Sequence, residues 1–568
     1  MKTLMSKILI ATAAVLICTL YLVPCTLTYA NNIRIQNATL YKGPNQPAGT
    51  IDIKFDVVWD NANSDAANGP VDGNGQHYFD RAWIFVKFWD TTQMTSAQPW
   101  GHAILTTGGT LSTYNSTTGV GVTADGMGAF AAPGTGQTVR WSYDGTQIPG
   151  AGYVLSTDTV KVRVMAIEMV RVPTGPFYVG DGTTTSVLGQ FCAGGTTSPF
   201  NVTGEGALTL GGGGAGSLAN NNASGMSPAD DFNNATPQTL PLAFPKGYNA
   251  FYLMKYEVTQ GQYRDFLNTL TRAQQAARVA TVITAGTTSV TNRYVMNNTP
   301  DAANIASANN YRNGIRCDAT IHTSNPVTFY CDYNNNGVGN ESTDGEWIAC
   351  NYISWADLSA FADWAGLRPM TELEFEKACR GGGVTDSVTG VYAWGNTTLE
   401  TATSSLTTLK IGTALETPNQ GNCNYSSCTP DGPYRVGSYA DSTSTRQNSG
   451  ASYYGVMDLS GSLWERPVTV GNGTSGTVIG GRAFTGSHGD GVLTTLTSYQ
   501  GNATNPDWPG YDTTYPTRGV FGAVGSGYRG GNWRNGATYA RASDRRYAAS
   551  TNPGRHYYSG GRLARTSP

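Results

Sequence analysis

Trp364-Ala365-Gly366-Leu367-Arg368-Pro369-Met370-Thr371-Glu372-Leu373-Glu374 carries the end of one helix and the start of the next. Gly366 suits the position that closes a helix. Thr371 with Glu374 three residues on forms a capping box, so a new helix starts there and stops before Gly381. Upstream, Ser354 with Asp357 signs the start of the helix that Gly366 ends. Further upstream, Thr259 caps a helix whose Tyr263, Phe266, Leu267 and Leu270 fall on one face. Three well-signed helices therefore sit in a chain otherwise built from turns and short strands.

Composition supports that reading. Charged residues make up 13%, against about 25% in an average soluble domain. The 71 glycines, with many Thr, Ser and Asn, favour short strands and turns over long amphipathic helices. The 12 Trp, 31 Tyr and 17 Phe are too many for a disordered chain. A net charge of −3 gives no general attraction to nucleic acid or anionic membrane, and no nucleic-acid partner is expected.

At 568 residues, two or three domains are expected. Residues 31–166 read as an all-β, sandwich-like domain. Ile51, Ile53, Phe55 and Val57 line one strand face; Val160, Val162 and Val164 alternate with Lys161 and Arg163; Trp83–Trp89 is apolar throughout. Residues 167–568 form the second unit, with Gly/Asn-rich insertions near 180–240 and 275–345, the first read as a long loop.

Residues 1–30 read as a secretory signal peptide: Lys2 and Lys7, an apolar run from Ile8 to Val23, and small-residue cleavage after Ala30. An uncleaved anchor is the rival reading. No later segment is apolar enough to span a bilayer as a helix. Cys192, Cys317, Cys331, Cys350, Cys379, Cys423 and Cys428 would remain after cleavage; Cys317–Cys331 and Cys423–Cys428 are the nearest candidates for disulfides. The chain is expected to be secreted or displayed at the cell surface.

A family becomes recognisable in the same blocks. Val170–Phe177, Met254–Thr259 with Tyr263 and Phe266, Tyr352–Trp355, Trp364–Glu372, Tyr392–Asn396, Gly455–Glu465 and Arg529–Trp533 follow one another as in the formylglycine-generating-enzyme (sulfatase-modifying-factor) family, which the chain resembles. The resemblance implies an α+β, C-type-lectin-like fold, irregular and loop-rich, here preceded by the sandwich. It also implies where chemistry is missing. The family's two copper(I)-binding cysteines correspond to Asn535 and Ala540, and no cysteine follows Cys428. Copper(I) prefers soft thiolate ligands, so no copper is expected and catalysis of that kind is not carried over. The five histidines, His77, His102, His322, His488 and His556, lack ligand spacing; His488 is the best of them for a further role.

Two kinds of site remain. The family's calcium positions resemble Asn424, the backbone of Tyr425, Asp431 and Glu465, and hard oxygen donors on irregular loops suit Ca²⁺; ordinary Asx turns are the alternative. Asp332–Gly337 matches half of a calcium loop, or a turn-rich insertion. The segment Arg529–Arg565 interleaves arginines with tyrosines. Arg541, Arg545 and Arg562 are assigned to internal pairs. Asn532, Arg534, Asn535, Thr538, Tyr547, Arg555, His556, Tyr557 and Tyr558 are the expected contacts for an extracellular protein or glycan. This tail resembles the variable patch of diversity-generating-retroelement proteins. A divergent oxidoreductase and a structural surface or secretion component remain alternatives.

Overall fold

The computed structural model describes residues 33–568 apart from 44–45, 61, 144–156, 158, 183–186, 221–224, 234, 298–309, 384–388, 401–405, 407–409, 427 and 472–476. The expected leader over 1–30 lies outside the described residues.

Seven strands and four helices position the rest: β1 (Arg34–Tyr41), β2 (Thr50–Val58), β3 (Asp80–Asp90), β4 (Gly134–Ser142), β5 (Val160–Val172), β6 (Phe251–Met254) and β7 (Leu563–Thr566), with α1 (Gln260–Leu267), α2 (Arg272–Arg278), α3 (Trp355–Trp364) and α4 (Glu372–Arg380). The long strand β5 joins the two halves of the chain. Along one edge it pairs antiparallel with all of β3, from Asp80↔Val170 to Asp90↔Val160. Along the other, its last residues pair with β6, from Phe251↔Val172 to Met254↔Met169. β7 then pairs with β6 and with Arg368–Pro369, completing an eight-stranded sheet. A boundary at 166/167 therefore cuts through a continuous strand. The clean alternation stops at Val164 because Ile167–Val170 is buried on both faces, which hides the strand's continuation.

The two faces of β3 serve two cores. Ala82, Ile84, Val86 and Phe88 pack with Ile51, Ile53, Phe55, Val139 and Trp141 of a four-stranded sheet containing β1, β2 and β4. Trp83 and Phe85 belong to a second core with Phe266, Phe361 and Trp364 of α1 and α3. One strand is thus apolar on both sides because it lies between a sheet and helices. Polar contacts reinforce the junction. Lys255 Nζ donates to Asp80 Oδ2 at 2.9 Å and to Glu168 Oε1 at 2.8 Å. Trp83 Nε1 donates to the Ala365 carbonyl at 2.8 Å.

The helix starts follow their capping boxes at Thr259, Ser354 and Thr371. The short α2 has the same device, Thr271 with Gln274. The stretch expected as a long loop over 180–240 contains strands instead. Phe177–Val179 pairs with Phe200–Val202, and Phe191–Ala193, Leu218–Asn220, Leu208–Leu210 and Gln238–Leu240 form a four-stranded sheet. Each strand is too short to show a period, yet Phe191, Leu210, Leu218 and Leu240 are buried. Gly180 (φ 80°) makes one of the turns; a Cβ there would lie 1.8 Å from the Phe191 carbonyl oxygen. The cysteines do not pair as expected: all seven are buried and form no disulfide. Among the described residues no helix is long and apolar enough to cross a membrane.

Because β5 belongs to both halves, neither half is expected to fold alone. Residues 31–166 and 167–568, expressed separately, should each lack the cooperative unfolding transition of the full chain, as checked by circular dichroism and calorimetry. A separately folded 167–568 piece of undiminished stability contradicts the shared-sheet account.

Candidate functional site

The C-terminal segment is held by ion pairs to α4. Arg529 donates from Nη1 to Glu372 Oε1 at 3.1 Å and from Nη2 to Glu376 Oε1 at 2.6 Å. Arg545 donates from Nε and Nη2 to the two oxygens of Glu372, both at 3.0 Å, and from Nη1 to Asp230 Oδ2 at 2.8 Å. Arg380 lies 3.4 Å from Glu376. All six charged side chains are buried. Burial would raise the Glu372 carboxyl, but Arg545 and Arg529 outweigh it and hold the group below its ordinary range. Nearby, Arg562 Nε donates to Glu465 Oε1 at 2.6 Å. Arg545 and Arg562 thus make the internal pairs expected of them.

The stretch between Arg529 and Arg545 reaches the surface. Asn532 is buried; its Oδ1 accepts from the Arg534 and Asn535 amides at 2.8 and 3.0 Å, and its Nδ2 donates to Asn535 Oδ1. This Asx turn presents the exposed Arg534, and Thr538 is exposed further along. Ala540 is buried against Tyr392, Trp394 and Cys423. At Asn535 and Ala540, the positions expected to correspond to the family's copper cysteines, this chain has a hydrogen-bonded amide and a packed methyl group. The nearby Cys423 is no substitute, because burial pushes its thiol well above the ordinary range.

Around this loop lies a field of tyrosines. Trp464, almost buried, contacts Tyr528, Tyr539 and Tyr547 with ring centroids 5.9, 6.1 and 5.6 Å away. His556 stacks on Tyr558 at 5.1 Å, and Tyr557 stacks on Tyr311 at 4.3 Å. The Arg534 guanidinium sits 5.1 Å from the Tyr557 ring. Tyr547, His556, Tyr557 and Tyr558 are half-buried, so part of each is presented to solvent.

Arg555 is drawn inward instead. It donates from Nε and Nη2 to Asp357 at 2.6 and 2.7 Å and from Nη1 and Nη2 to the Val279 and Ala277 carbonyls. Asp357 is fully buried, so its charge requires such a partner. The sequence reading counted Arg555 as a surface contact among the tyrosines, and the structure turns it inward to Asp357. Conversely, the sequence reading missed the buried Trp464 and Tyr528 and the half-buried Tyr539 as neighbours of Tyr547; aromatics at scattered positions give no periodic signal. His488 is absorbed structurally: its Nε2 accepts from the Thr566 amide at 3.1 Å.

The expected calcium residues divide. Asn424 fits a hard cation: Nδ2 donates to the Gly432 carbonyl at 3.0 Å, which fixes the amide, and buried Oδ1 has no hydrogen-bond partner. The Tyr425 carbonyl accepts from Cys428 Sγ, and Asp431 is exposed beside Gly432. Glu465 is shared: the Arg562 guanidinium occupies its Oε1, while its buried Oε2 has no hydrogen-bond partner. Asp332 is buried and ion-paired with Arg316, and its carboxylate also accepts the Asn336 and Gly337 amides. That supports the turn reading of Asp332–Gly337. Among the described residues no three His, Cys, Asp or Glu gather as a metal-binding group.

Residues 215–567 match the family described as the sulfatase-modifying factor enzyme 1-like domain, and the chain belongs to that family. The match supports the C-type-lectin-like α+β fold for this region. No curated protein matches the chain.

The clamp and the loop should respond differently to substitution. Arg545→Ala strands Glu372 and Asp230 in the interior and should cost about 3–5 kcal/mol in urea unfolding. Arg534→Ala should change stability by no more than about 0.5 kcal/mol.

Proposed function

We propose that this protein is a non-catalytic binding protein of the cell exterior, using its C-terminal tyrosine- and arginine-rich surface to hold an extracellular protein or glycan. The observation that carries the reading is the loop between the two buried arginines. Thiolates that would bind copper are replaced by Asn535 and Ala540, while Arg534, Thr538 and half-exposed tyrosines occupy the surface. Tyrosine supplies rigid contact area with a polar tip at little entropic cost. The leader expected over 1–30 supports a location outside the cell. Variation of this loop by a diversity-generating retroelement is a sharper form of the same reading; a neighbouring reverse transcriptase with a near-copy of the terminal coding bases tests it.

Two outcomes check the core of the proposal. In a protein and glycan binding screen, the full mature chain should capture a ligand that Tyr547→Ala and Tyr558→Ala variants release at least about tenfold faster or bind tenfold more weakly. Incubated with copper and a sulfatase-motif peptide, the protein should leave the peptide mass unchanged; conversion of its cysteine to an aldehyde replaces the binding reading with an enzymatic one.

Calcium is proposed as a structural ion held by Asn424 with the Tyr425 carbonyl and Asp431. Its contribution when bound is to cross-link the loop that packs under the Asn535 turn, whose carbonyl accepts the Ser426 amide at 3.0 Å. At about 100-fold excess over its dissociation constant, calcium should add about 2.7 kcal/mol to stability. Asn424→Ala should abolish the rise in melting temperature, and an unchanged midpoint after chelation removes calcium from the account.

A further inference from the structure

Arg466 presents an imbalance of charge beneath the tyrosine field. It is fully buried. Its Nη1 donates to the Tyr528 hydroxyl at 3.1 Å, and its Nη2 to Ser526 Oγ at 3.0 Å and the Asn552 carbonyl at 2.9 Å. Nε has no acceptor. Every one of these partners is neutral, and no carboxylate among the described residues lies within ion-pair distance of Arg466. A guanidinium does not lose its proton in a protein, and a buried charge is normally paired.

The surroundings do not supply the missing charge. The nearby carboxylate, Asp357, is already shared by Arg278 at 3.2 Å and Arg555 at 2.6 Å. Arg534, at the surface of the same field, also has no carboxylate within ion-pair distance among the described residues. His556 adds no negative charge, and its buried Nε2 lacks a hydrogen-bond partner. The local excess is positive, although the whole chain carries −3.

Tyr528, itself buried, ties this charge to the half-buried Tyr547, whose carbonyl accepts the Tyr528 amide at 3.1 Å. Its hydroxyl oxygen accepts from Arg466, which leaves its own proton free to donate. The phenols of Tyr528 and Tyr547 stand close enough to Tyr558 to act on it electrostatically: after burial, they are what pushes the Tyr558 phenol up. The hydroxyls therefore gather over a buried cation. Phenol donors backed by a positive charge in a low-dielectric setting are a match for a negatively charged oxygen.

We propose that the tyrosine field over Arg466 is an oxyanion site, with Tyr528 donating to a carboxylate or sulfate whose charge Arg466 and Arg534 balance. The proposal rests on the binding surface proposed above and names the chemistry it recognises. The same group can arrive as a free anion or on an acidic sugar.

The test is isothermal titration of the full mature chain at constant ionic strength with inorganic sulfate, glucuronate and glucose. Sulfate and glucuronate should bind saturably and glucose should not. Glucuronate tighter than sulfate by tenfold or more identifies an acidic sugar; equal affinities identify the free anion. Tyr528→Phe, which keeps the ring against Trp464 and Arg466 and removes only the hydroxyl, should weaken both anions at least tenfold. Arg466→Met should do the same, and the Phe variant decides the matter if the Met variant does not fold. Absence of saturable anion binding, or affinity unchanged by Tyr528→Phe, overturns the inference. A ligand from the binding screen that is lost with Tyr547→Ala but indifferent to Tyr528→Phe keeps the binding surface and overturns the oxyanion site alone.

Discussion

The buried ion network on α4 is the constraint on which the rest of the C-terminal structure depends. Arg380, Arg529 and Arg545 face Asp230, Glu372 and Glu376, so the formal charges cancel within a volume closed to water. Such a network contributes little net stability relative to an apolar core, but removal of any member leaves a charge stranded. Its effect is therefore positional. Glu372 and Glu376 lie one helical turn apart and direct both arginines to the same face of α4. That fixes where the chain enters and leaves the loop between them.

The wide sheet performs a related task at larger scale. β5 pairs with β3 on one side and β6 on the other, and β6 passes the connection to β7 at the C-terminal end. Lys255, with its carboxylate partners on β3 and β5, ties the centre of this sheet. Burial would lower the Lys255 amine, but Asp80 and Glu168 outweigh it and keep it charged. The N-terminal strands are consequently part of the frame that carries the tyrosine field. A spacer hung from an independent domain would have no such pairing.

Local signals read well from the sequence, and partnerships did not. Thr259, Ser354 and Thr371 announce their helices because a capping box lies within four residues. The strand alternations at Ile51–Val57 and Val160–Val164 are equally local. What escaped is long-range or aperiodic. The pairing of Glu372 with Arg529 spans most of the C-terminal region, and no spacing rule connects them. The three-residue strands between 180 and 240 lie below the length at which alternation is visible. At the candidate site, the absence of any cysteine after Cys428 was legible, as was the enrichment of Tyr and Arg. The inward turn of Arg555 was not, because an arginine beside tyrosines has the same sequence signature whether it faces solvent or a buried aspartate.

Division of labour among the arginines gives the site its physical character. Arg529, Arg545, Arg555 and Arg562 are neutralised by buried acids and contribute rigidity. Arg466 is held only by neutral acceptors, so its field extends to the surface instead of closing on a carboxylate. Arg534 projects from an Asx turn whose hydrogen bonds come from backbone amides and the Asn532 and Asn535 side chains. Its own side chain can therefore change without loosening the turn. A frame fixed by paired charges and a surface tuned by unpaired ones can vary separately, which lets one scaffold alter what it binds while keeping its fold.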